Sequence, residues 1–219
     1  MRHFIVRLLH PLLRRYYSWW SRKSRYYRSH GLDMIVLPGV FHPGIFISTR
    51  LMMEHVAMLP LEGRGFLELG AGTGAVALVA ASRGAVVTAT DISTQAVRNL
   101  ELNSVRNKLP ITIVRSDLFD SIPGHFDVIA INPPYYPYEP RTEAEQAFFA
   151  GTDRQYFVRL FPELARRVAE GSEVYMVLSD DLDHHPINQL AADKGLQLIP
   201  SRRKVWFGEA QVVYHVVGR

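Results

Sequence analysis

FDVIAINPPY, the stretch at residues 126–135, is a short apolar run that ends abruptly at an asparagine and two prolines. Its first six residues are mostly apolar and β-branched, which is typical of a strand buried on both faces. Neither proline can donate a backbone hydrogen bond to a sheet, and each disfavours the helical region for the residue before it. We therefore predict a strand that leaves Asn132 and Pro133 extended at its carboxyl end, the edge where open α/β sheets bind ligands.

The turn after this strand suits methyl transfer to a planar nitrogen. The lone pair of an amide or adenine NH2 group is delocalised, so such a nitrogen is a poor nucleophile. Two rigid acceptors, the Asn132 side-chain oxygen and the Pro133 carbonyl, could take its two hydrogens and turn the lone pair toward an electrophile. Tyr135 could stack on the flat group and offer its ring face to a cationic methyl donor. The alternative is a strand-ending turn with a surface tyrosine.

Strand and helix patterns alternate along most of the chain, which predicts a parallel sheet in an α/β fold. Predicted strands cover 34–37, 66–69, 86–90, 111–115, 126–131, 173–179, 196–203 and 211–217. Predicted helices cover 48–59 with Ser48 or Thr49 as cap, 74–83, 94–107, 154–170 with an interruption at Pro162, and part of 184–194. No helix separates the last two strands, so we expect them to form an antiparallel pair.

Composition indicates one globular domain. The 219 residues are 47% hydrophobic and contain no long polar tract, which is ample for a core. No stretch approaches about 18 consecutive apolar residues, so we predict no membrane-spanning helix. The absence of cysteine excludes a disulfide framework and a thiolate metal site.

The basic charge is concentrated at the start of the chain. Residues 1–32 carry eight Lys and Arg and no acid, which leaves 25 − 8 = 17 basic against 21 acidic residues in the remainder. Aromatic side chains alternate with these cations, a pattern of nucleic-acid surfaces, ribosomal partners and membrane interfaces. It also resembles a transit peptide, or a helical extension that packs its aromatics on the body. We divide the chain into a basic aromatic arm, 1–32, and a catalytic domain, 33–219.

A glycine-rich segment, ELGAGTG at residues 68–74, lies at a predicted strand-to-helix junction. Glycines there permit tight turning and let a ligand approach the main chain and the helix N-terminus. The run also fits a dinucleotide fingerprint, with Asp91 placed at the end of the next strand to bind a ribose diol. Taken alone, the segment does not distinguish a dinucleotide from the cationic methyl donor that the Asn-Pro-Pro-Tyr turn suggests.

Two features favour a cationic methyl donor over a dinucleotide. Glu68 precedes the glycines and suits a cationic amino acid moiety better than a pyrophosphate, which it would repel. Asp117 follows the third strand of this series, where an acid and a main-chain NH can bind an adenine edge. A nicotinamide enzyme would have no need of the Asn-Pro-Pro-Tyr turn.

Together these motifs resemble those of class I S-adenosylmethionine-dependent methyltransferases of the small-domain group, which includes the HemK/PrmC release-factor glutamine methyltransferases. The resemblance implies a Rossmann-like fold with a seven-stranded, mostly parallel sheet, closed by the antiparallel C-terminal pair, and here a helical N-terminal extension. The cofactor-binding residues that it implies are Glu68, Gly70, Gly72, Asp91, Ile92, Asp117, Leu118 and Asn132. The residues that it implies for the target nitrogen are Asn132, Pro133 and Tyr135.

The resemblance favours a protein glutamine side chain as methyl acceptor. Residues 147–154 resemble the segment after the catalytic turn in short relatives, Ala-x-x-Gly-Gly-x-Asp-Gly. The chain departs from the family in having no acid between Asp33 and Glu54, and a basic arm in place of the helical substrate domain. The alternatives are an exocyclic amine such as adenine N6 in RNA or DNA, and a catalytically silent binding subunit.

Other candidate sites are given structural interpretations. An acid and histidine cluster at 180–185 has no partner ligands at recognisable spacing, so we read it as a solvated helix entry and expect no metal. His42 is read as a loop histidine without a catalytic role. We expect a cytoplasmic monomer that acts on a macromolecule, with residues 1–30 as a surface for a polyanion or a membrane.

Overall fold

A seven-stranded sheet forms the centre of the computed structural model, which describes residues 21–141, 143–206 and 209–219. The strands are β1 Arg25–Ser29, β2 Leu32–Val36, β3 Gly65–Leu69, β4 Val86–Asp91, β5 Ile111–Arg115, β6 Val128–Ile131, β7 Glu173–Ser179, β8 Leu196–Trp206 and β9 Glu209–Gly218. The large sheet has the order β5-β4-β3-β6-β7-β9-β8. Strands β3 to β7 pair in parallel, and β9 runs antiparallel to both of its neighbours. The predicted Rossmann-like sheet is confirmed.

Helices cover both faces of this sheet. They are α1 Ile47–Val56, α2 Ala75–Ser82, α3 Thr94–Asn107, α4 Gln155–Ala169 and α5 His185–Ala192. Buried side chains of α1, α2 and α3 form the core on one face, and those of α4 and α5 form the core on the other. Among the described residues, no helix combines the length and the apolar character needed to cross a membrane.

The predicted interruption at Pro162 is wrong, because α4 runs through this residue. Pro162 lies on the exposed side of the helix, and Val158, four residues earlier, is 48% exposed. The proline leaves the Val158 carbonyl without its helical partner, and it does so on the solvent-facing side of the helix.

Part of the predicted helical extension is a β-hairpin. Strands β1 and β2 pair antiparallel in register from Arg25↔Val36 to Ser29↔Leu32. The turn residues His30 and Gly31 both have positive φ, the conformation of a two-residue type I′ turn. Alternating burial along β1 and β2 completes the strand pattern, so the predicted arm boundary at 32 cuts through this hairpin. Residues 1–20 of the arm lie outside the described residues.

An asparagine ladder holds β2 against α3. Asn99, Asn103 and Asn107 follow one another at intervals of one helical turn, and their Oδ1 atoms accept from the backbone N–H of Leu37, Ile35 and Asp33 at 2.7–2.9 Å. Their Nδ2 atoms donate to the carbonyls of Ile35 and Asp33. These side chains replace a neighbouring strand on the free edge of β2.

We expect Asn103→Leu to lower the free energy of unfolding by about 3 kcal/mol. Asn103 is fully buried, and its loss would leave the Ile35 N–H and the Thr73 carbonyl without these hydrogen bonds. Urea denaturation would measure the change, with exposed Asn188→Ala of α5 as the control. A loss below about 0.5 kcal/mol, the range of a neutral surface change, would contradict a stabilising ladder.

Candidate active site

Four neighbouring strands bring the predicted site residues to one edge of the sheet. Strands β5, β4, β3 and β6 lie side by side and run parallel, so their carboxyl ends share that edge. Asp117, Asp91, Gly70 and Asn132 follow or end these four strands in that order. The structure thus assembles residues from four separate motifs into one site.

The glycine loop after β3 leaves room for a ligand. Gly70 has φ +69°, and a Cβ built on it would meet no atom within 4 Å, so the space beside its backbone is open. A Cβ on Gly74, with φ +77°, would lie only 2.9 Å from Leu100. Gly74 therefore serves the packing of α2 on α3, whereas the main chain at Gly70 is left open, and its predicted contact with a cofactor stays a prediction.

Asp91 connects the loops that follow β3 and β4. Its Oδ2 accepts from the Gly72 N–H and its Oδ1 from the Ser93 N–H, each at 2.9 Å. A carboxylate is an acceptor-only group, the type that a ribose diol requires of its partner, and the predicted contact of Asp91 with a ribose stays a prediction. Ile92, beside it, is 40% exposed and offers apolar surface at the same edge.

Glu68 is buried beneath the start of α2. Its Oε2 accepts at 2.7 Å from the N–H of Ala77, the third residue of that helix. Burial, together with the negative charge of Asp91, raises the pKa of the Glu68 carboxyl to about 8. Glu68 thus stabilises the N-terminus of α2, and the predicted contact with a cationic amino acid group stays a prediction.

Without bound cofactor, we expect the free energy of unfolding of Glu68→Gln to exceed that of the wild type by an amount that increases with pH. The folded-state pKa of about 8 lies above the ordinary 4.5, so the folded protein binds the extra proton and the wild type loses stability between these values. The advantage of the variant should reach several kcal/mol near pH 8, since each pKa unit corresponds to about 1.4 kcal/mol. Urea denaturation at pH 5, 6.5 and 8, with exposed Glu101→Gln as control, would measure it. A pH-independent difference would contradict the raised pKa.

Asn132 is held by two hydroxyl groups of α1. Its Nδ2 lies 3.2 Å from Thr49 Oγ1 and 3.4 Å from Ser48 Oγ. The prediction that Ser48 or Thr49 caps this helix is wrong, because the helix begins at Ile47 and Phe46 occupies the cap position without a side-chain cap bond. Both hydroxyls lie inside the first turn of the helix, where they face the Asn-Pro-Pro-Tyr turn.

Tyr135 is fixed by contacts on the far side of the turn. Its side chain interacts with that of Gln211 in β9, and its ring centre lies 4.9 Å from the ring centre of Tyr136. Burial, the main cause, raises the pKa of the Tyr135 hydroxyl, so the group keeps its proton at neutral pH. Pro133, between Asn132 and Tyr135, is buried.

Tyr156, a residue that the sequence did not single out, lies near the carboxylates predicted to bind ribose and adenine. Tyr156, at the start of α4, has a pKa raised by burial and by the nearby carboxylates of Asp91 and Asp117. Asp117 itself accepts from Arg159, one turn further along α4, at 2.8 Å. Leu118 has φ +48°, which turns the chain sharply after Asp117. The predicted contacts of Asp117 and Leu118 with adenine stay predictions.

Three phenylalanines form an aromatic wall beside the glycine loop. Phe41 stacks on Phe46 with ring centres 4.0 Å apart, and both rings contact Phe148, at 5.3 and 5.6 Å. The Phe41 Cβ lies 4.0 Å from the position of a Cβ built on Gly72. This aromatic wall therefore joins the cofactor loop to the segment after the Asn-Pro-Pro-Tyr turn.

His42 and the acid and histidine cluster at 180–185 have partners within the protein. His42 is buried, accepts from the Gly44 N–H through Nδ1 and packs edge-on against Tyr27. Asp180 pairs with Arg203, and His184 Nε2 lies 2.8 Å from the Ser179 carbonyl. In the described part of the chain, no group of three or more potential ligands could hold a metal ion.

This sheet order, with a glycine loop, an acid at the end of β4 and Asn-Pro-Pro-Tyr after β6, defines a class I S-adenosylmethionine-dependent methyltransferase. The open main chain at Gly70 and the carboxylate of Asp91 at the end of β4 fit that cofactor. The chain belongs to the methyltransferase small domain family, whose model matches residues 31–191.

Relatives of the chain act on different kinds of molecule. A proposed protein N5-glutamine methyltransferase of Methanocaldococcus jannaschii is 30% identical over 84% of this chain and 94% of its own length. The ribosomal RNA small subunit methyltransferase C of Vibrio cholerae is 28% identical over 80% of this chain, which spans about half (48%) of that relative. The structure of the T. thermophilus 16S rRNA N2 G1207 methyltransferase with AdoMet and guanosine superposes with a TM-score of 0.61, at 25% identity, over 90% of this chain and 50% of that one.

Proposed function

We propose that the protein methylates the side-chain amide nitrogen of a protein glutamine. The observation that carries this proposal is the Asn132 amide, anchored through Nδ2 at the carboxyl end of β6. In this orientation, Oδ1 is the atom that can accept from a planar NH2 group. Similarity to the M. jannaschii relative over nearly its whole length supports glutamine as the acceptor.

Catalysis in this proposal is positioning and electrostatics. S-adenosylmethionine supplies an electrophilic methyl group on a sulfonium centre. Asn132 Oδ1 and the Pro133 carbonyl accept the two hydrogens of the target nitrogen and direct its lone pair along the line of attack. Both acceptors gain strength as that nitrogen becomes positive. The proton then leaves to solvent, because Tyr135, whose pKa is raised, is no base.

The charges around the site favour a protein over a nucleic acid. Arg202 and Lys204 of β8 pair with Glu54 of α1, and Arg203 pairs with Asp180. These cations are neutralised within the protein, and residues 33–219 carry more acids than bases, 21 against 17. Nucleic acids are bound chiefly through unpaired Lys and Arg on phosphates.

The runner-up acceptor is an exocyclic amine of an RNA base. Two observations favour it: the guanosine-bound structure of similar fold, and the aromatic wall, whose rings could stack on a base. In that case the electrostatic attraction would come from the basic arm.

Labelling of a cell extract would decide between these acceptors. The full chain is incubated with radiolabelled S-adenosylmethionine and an extract from its own source. One sample of the products is then digested with nuclease and a second sample with protease. We expect label that resists nuclease, is released by protease and lies on a glutamine in tryptic peptides. Nuclease-sensitive label would establish the RNA alternative, and an extract without label would favour the silent subunit.

The basic arm is proposed to bind a polyanion. Since β1 belongs to a folded hairpin, the informative truncation removes residues 1–20 and keeps the pairing with β2. We expect the truncated chain to bind RNA or anionic vesicles more weakly and with a smaller salt dependence, because four arginines are lost. Its affinity for S-adenosylmethionine should be unchanged. If the full and truncated chains bound RNA and anionic vesicles equally well, the proposal that the arm binds a polyanion would be refuted.

A further inference from the structure

Two buried hydroxyl groups contact the side chain that the proposed reaction depends on. Ser48 and Thr49 are 3% and 8% exposed, and both lie within hydrogen-bond reach of Asn132 Nδ2. Thr49 is the closer, at 3.2 Å, and Ser48 is at the long end of the range, at 3.4 Å. Among the described residues, the hydrogen bonds to the Asn132 side chain go to this nitrogen.

Helix formation does not account for these two residues. Serine and threonine favour the cap position because their side chains accept from the first turn, yet α1 has Phe46 there and no side-chain cap bond. Inside a helix, both residues have lower propensity than alanine or leucine. The hydroxyl pair is therefore placed where the helix gains nothing from it and where Asn132 can use it.

The helix that carries the two hydroxyls is fixed to the sheet on its other side. The Arg50 guanidinium lies 4.8 Å from the ring centre of Trp206. One turn later, Glu54 pairs with Arg202 at 3.5 Å and also with Lys204. Consecutive turns of α1 are thus tied to β8, which gives the hydroxyl groups a rigid support.

We propose that Ser48 and Thr49 are positioning residues that set the rotamer of the Asn132 amide. By occupying Nδ2, they turn Oδ1 toward the methyl acceptor, so the site receives a group that donates N–H. The inference rests on the proposed function for its catalytic consequence, but the orientation of the amide can be tested without any acceptor. Thr49 is expected to contribute more than Ser48 because its contact is shorter.

Matched variants separate this role from a structural one. Thr49→Val preserves the shape of the side chain and removes its hydroxyl, and Ser48→Ala/Thr49→Val removes both hydroxyls. Thr49→Ser keeps the hydroxyl and removes only the methyl group. The control is Ser172→Ala, a buried serine that bonds the Phe126 carbonyl at the opposite edge of the sheet. We expect the single-turnover rate to fall about tenfold in Thr49→Val and up to about a hundredfold in the double variant, as for a slightly misplaced catalytic group. Thr49→Ser should stay within about threefold of wild type, and cofactor affinity should be unchanged throughout.

The acceptor-free readout is the side-chain NH2 signal of Asn132 in a 15N-labelled protein, assigned by its absence from Asn132→Ala. In the wild type both hydroxyls accept from this group, so its protons should exchange slowly with solvent. We expect exchange at least about tenfold faster in the double variant and little change in Ser172→Ala. Unchanged exchange in the double variant, or fast exchange already in the wild type, would overturn the proposal.

A wrong acceptor and an absent positioning role give different experimental results. If the wild-type chain labels RNA instead of a glutamine, the acceptor assignment is wrong, yet the exchange measurement still tests the amide orientation. If the double variant methylates at the wild-type rate, the hydroxyl pair has no positioning role, whatever the acceptor is. The positioning role would also be overturned if Thr49→Ser lost as much rate as Thr49→Val, because the loss could then not be due to the hydroxyl.

Discussion

Asn132→Ala should lower the single-turnover rate of methylation about 10²–10³-fold and leave the affinity for S-adenosylmethionine nearly unchanged. The side chain is placed to accept from the target nitrogen, and this interaction is strongest as the nitrogen becomes positive. Losing one such preorganised partner typically has an effect of this size. The fold should tolerate the change, because the backbone of Asn132 is set by β6 before it and by the prolines after it.

The measurement is single-turnover methylation beside calorimetric binding, on whichever substrate the labelling identifies. Asn188→Ala, an exposed asparagine of α5, controls for the loss of an amide side chain. Equal rates for Asn132→Ala and wild type would mean that the turn is merely structural. A parallel loss of rate and cofactor binding would instead place Asn132 in the cofactor pocket.

For Asp91→Ala we expect the affinity for S-adenosylmethionine to fall about 10- to 100-fold. Each hydrogen bond to a charged group contributes roughly 1.5–3 kcal/mol, and the carboxylate is placed for two ribose hydroxyls. The structure adds a second reason, because Oδ2 also holds the Gly72 N–H and with it the glycine loop.

Calorimetry with S-adenosylhomocysteine measures this effect without turnover. Asp120→Ala, at a more exposed acid on the loop after β5, is the matched control and should bind like the wild type. Unchanged affinity in Asp91→Ala, or tight binding of NAD by the wild type, would refute the assignment of the cofactor site.

Local patterns were sufficient to predict most of the sheet and the position of the site. Strands β5 and β7 and helix α3 have the predicted bounds, because apolar or helix-forming runs there are flanked by glycine, proline or serine. The glycine loop and the Asn-Pro-Pro-Tyr turn were predictable for the same reason. Each is a contiguous motif whose place at a strand end follows from its own residues, and parallel pairing then brings the strand ends together.

What the sequence could not predict are contacts between distant segments. Asn132 is 83 residues from Thr49, and Tyr135 meets Gln211 only because β9 returns beside β7. Neither partner carries a motif of its own. The β1 hairpin differs from these contacts, because its turn residues His30 and Gly31 are a local signal, while the basic and aromatic composition around them is equally typical of a helical arm.

The asparagine ladder also sets the distance from β2 to the Asn-Pro-Pro-Tyr turn. Four helical residues rise about 6.0 Å and two strand residues about 6.6 Å, so the amides of α3 match alternate residues of β2 in one register. If β2 slipped by two residues along α3, most of its hydrogen bonds to the asparagines would form again. The segment that connects β2 to α1 would, however, be displaced by about 6.6 Å. Phe41 would then leave Gly72, and Thr49 could no longer reach Asn132. Two-residue insertions or deletions within 33–37 should therefore yield a folded protein that binds cofactor weakly and transfers no methyl group.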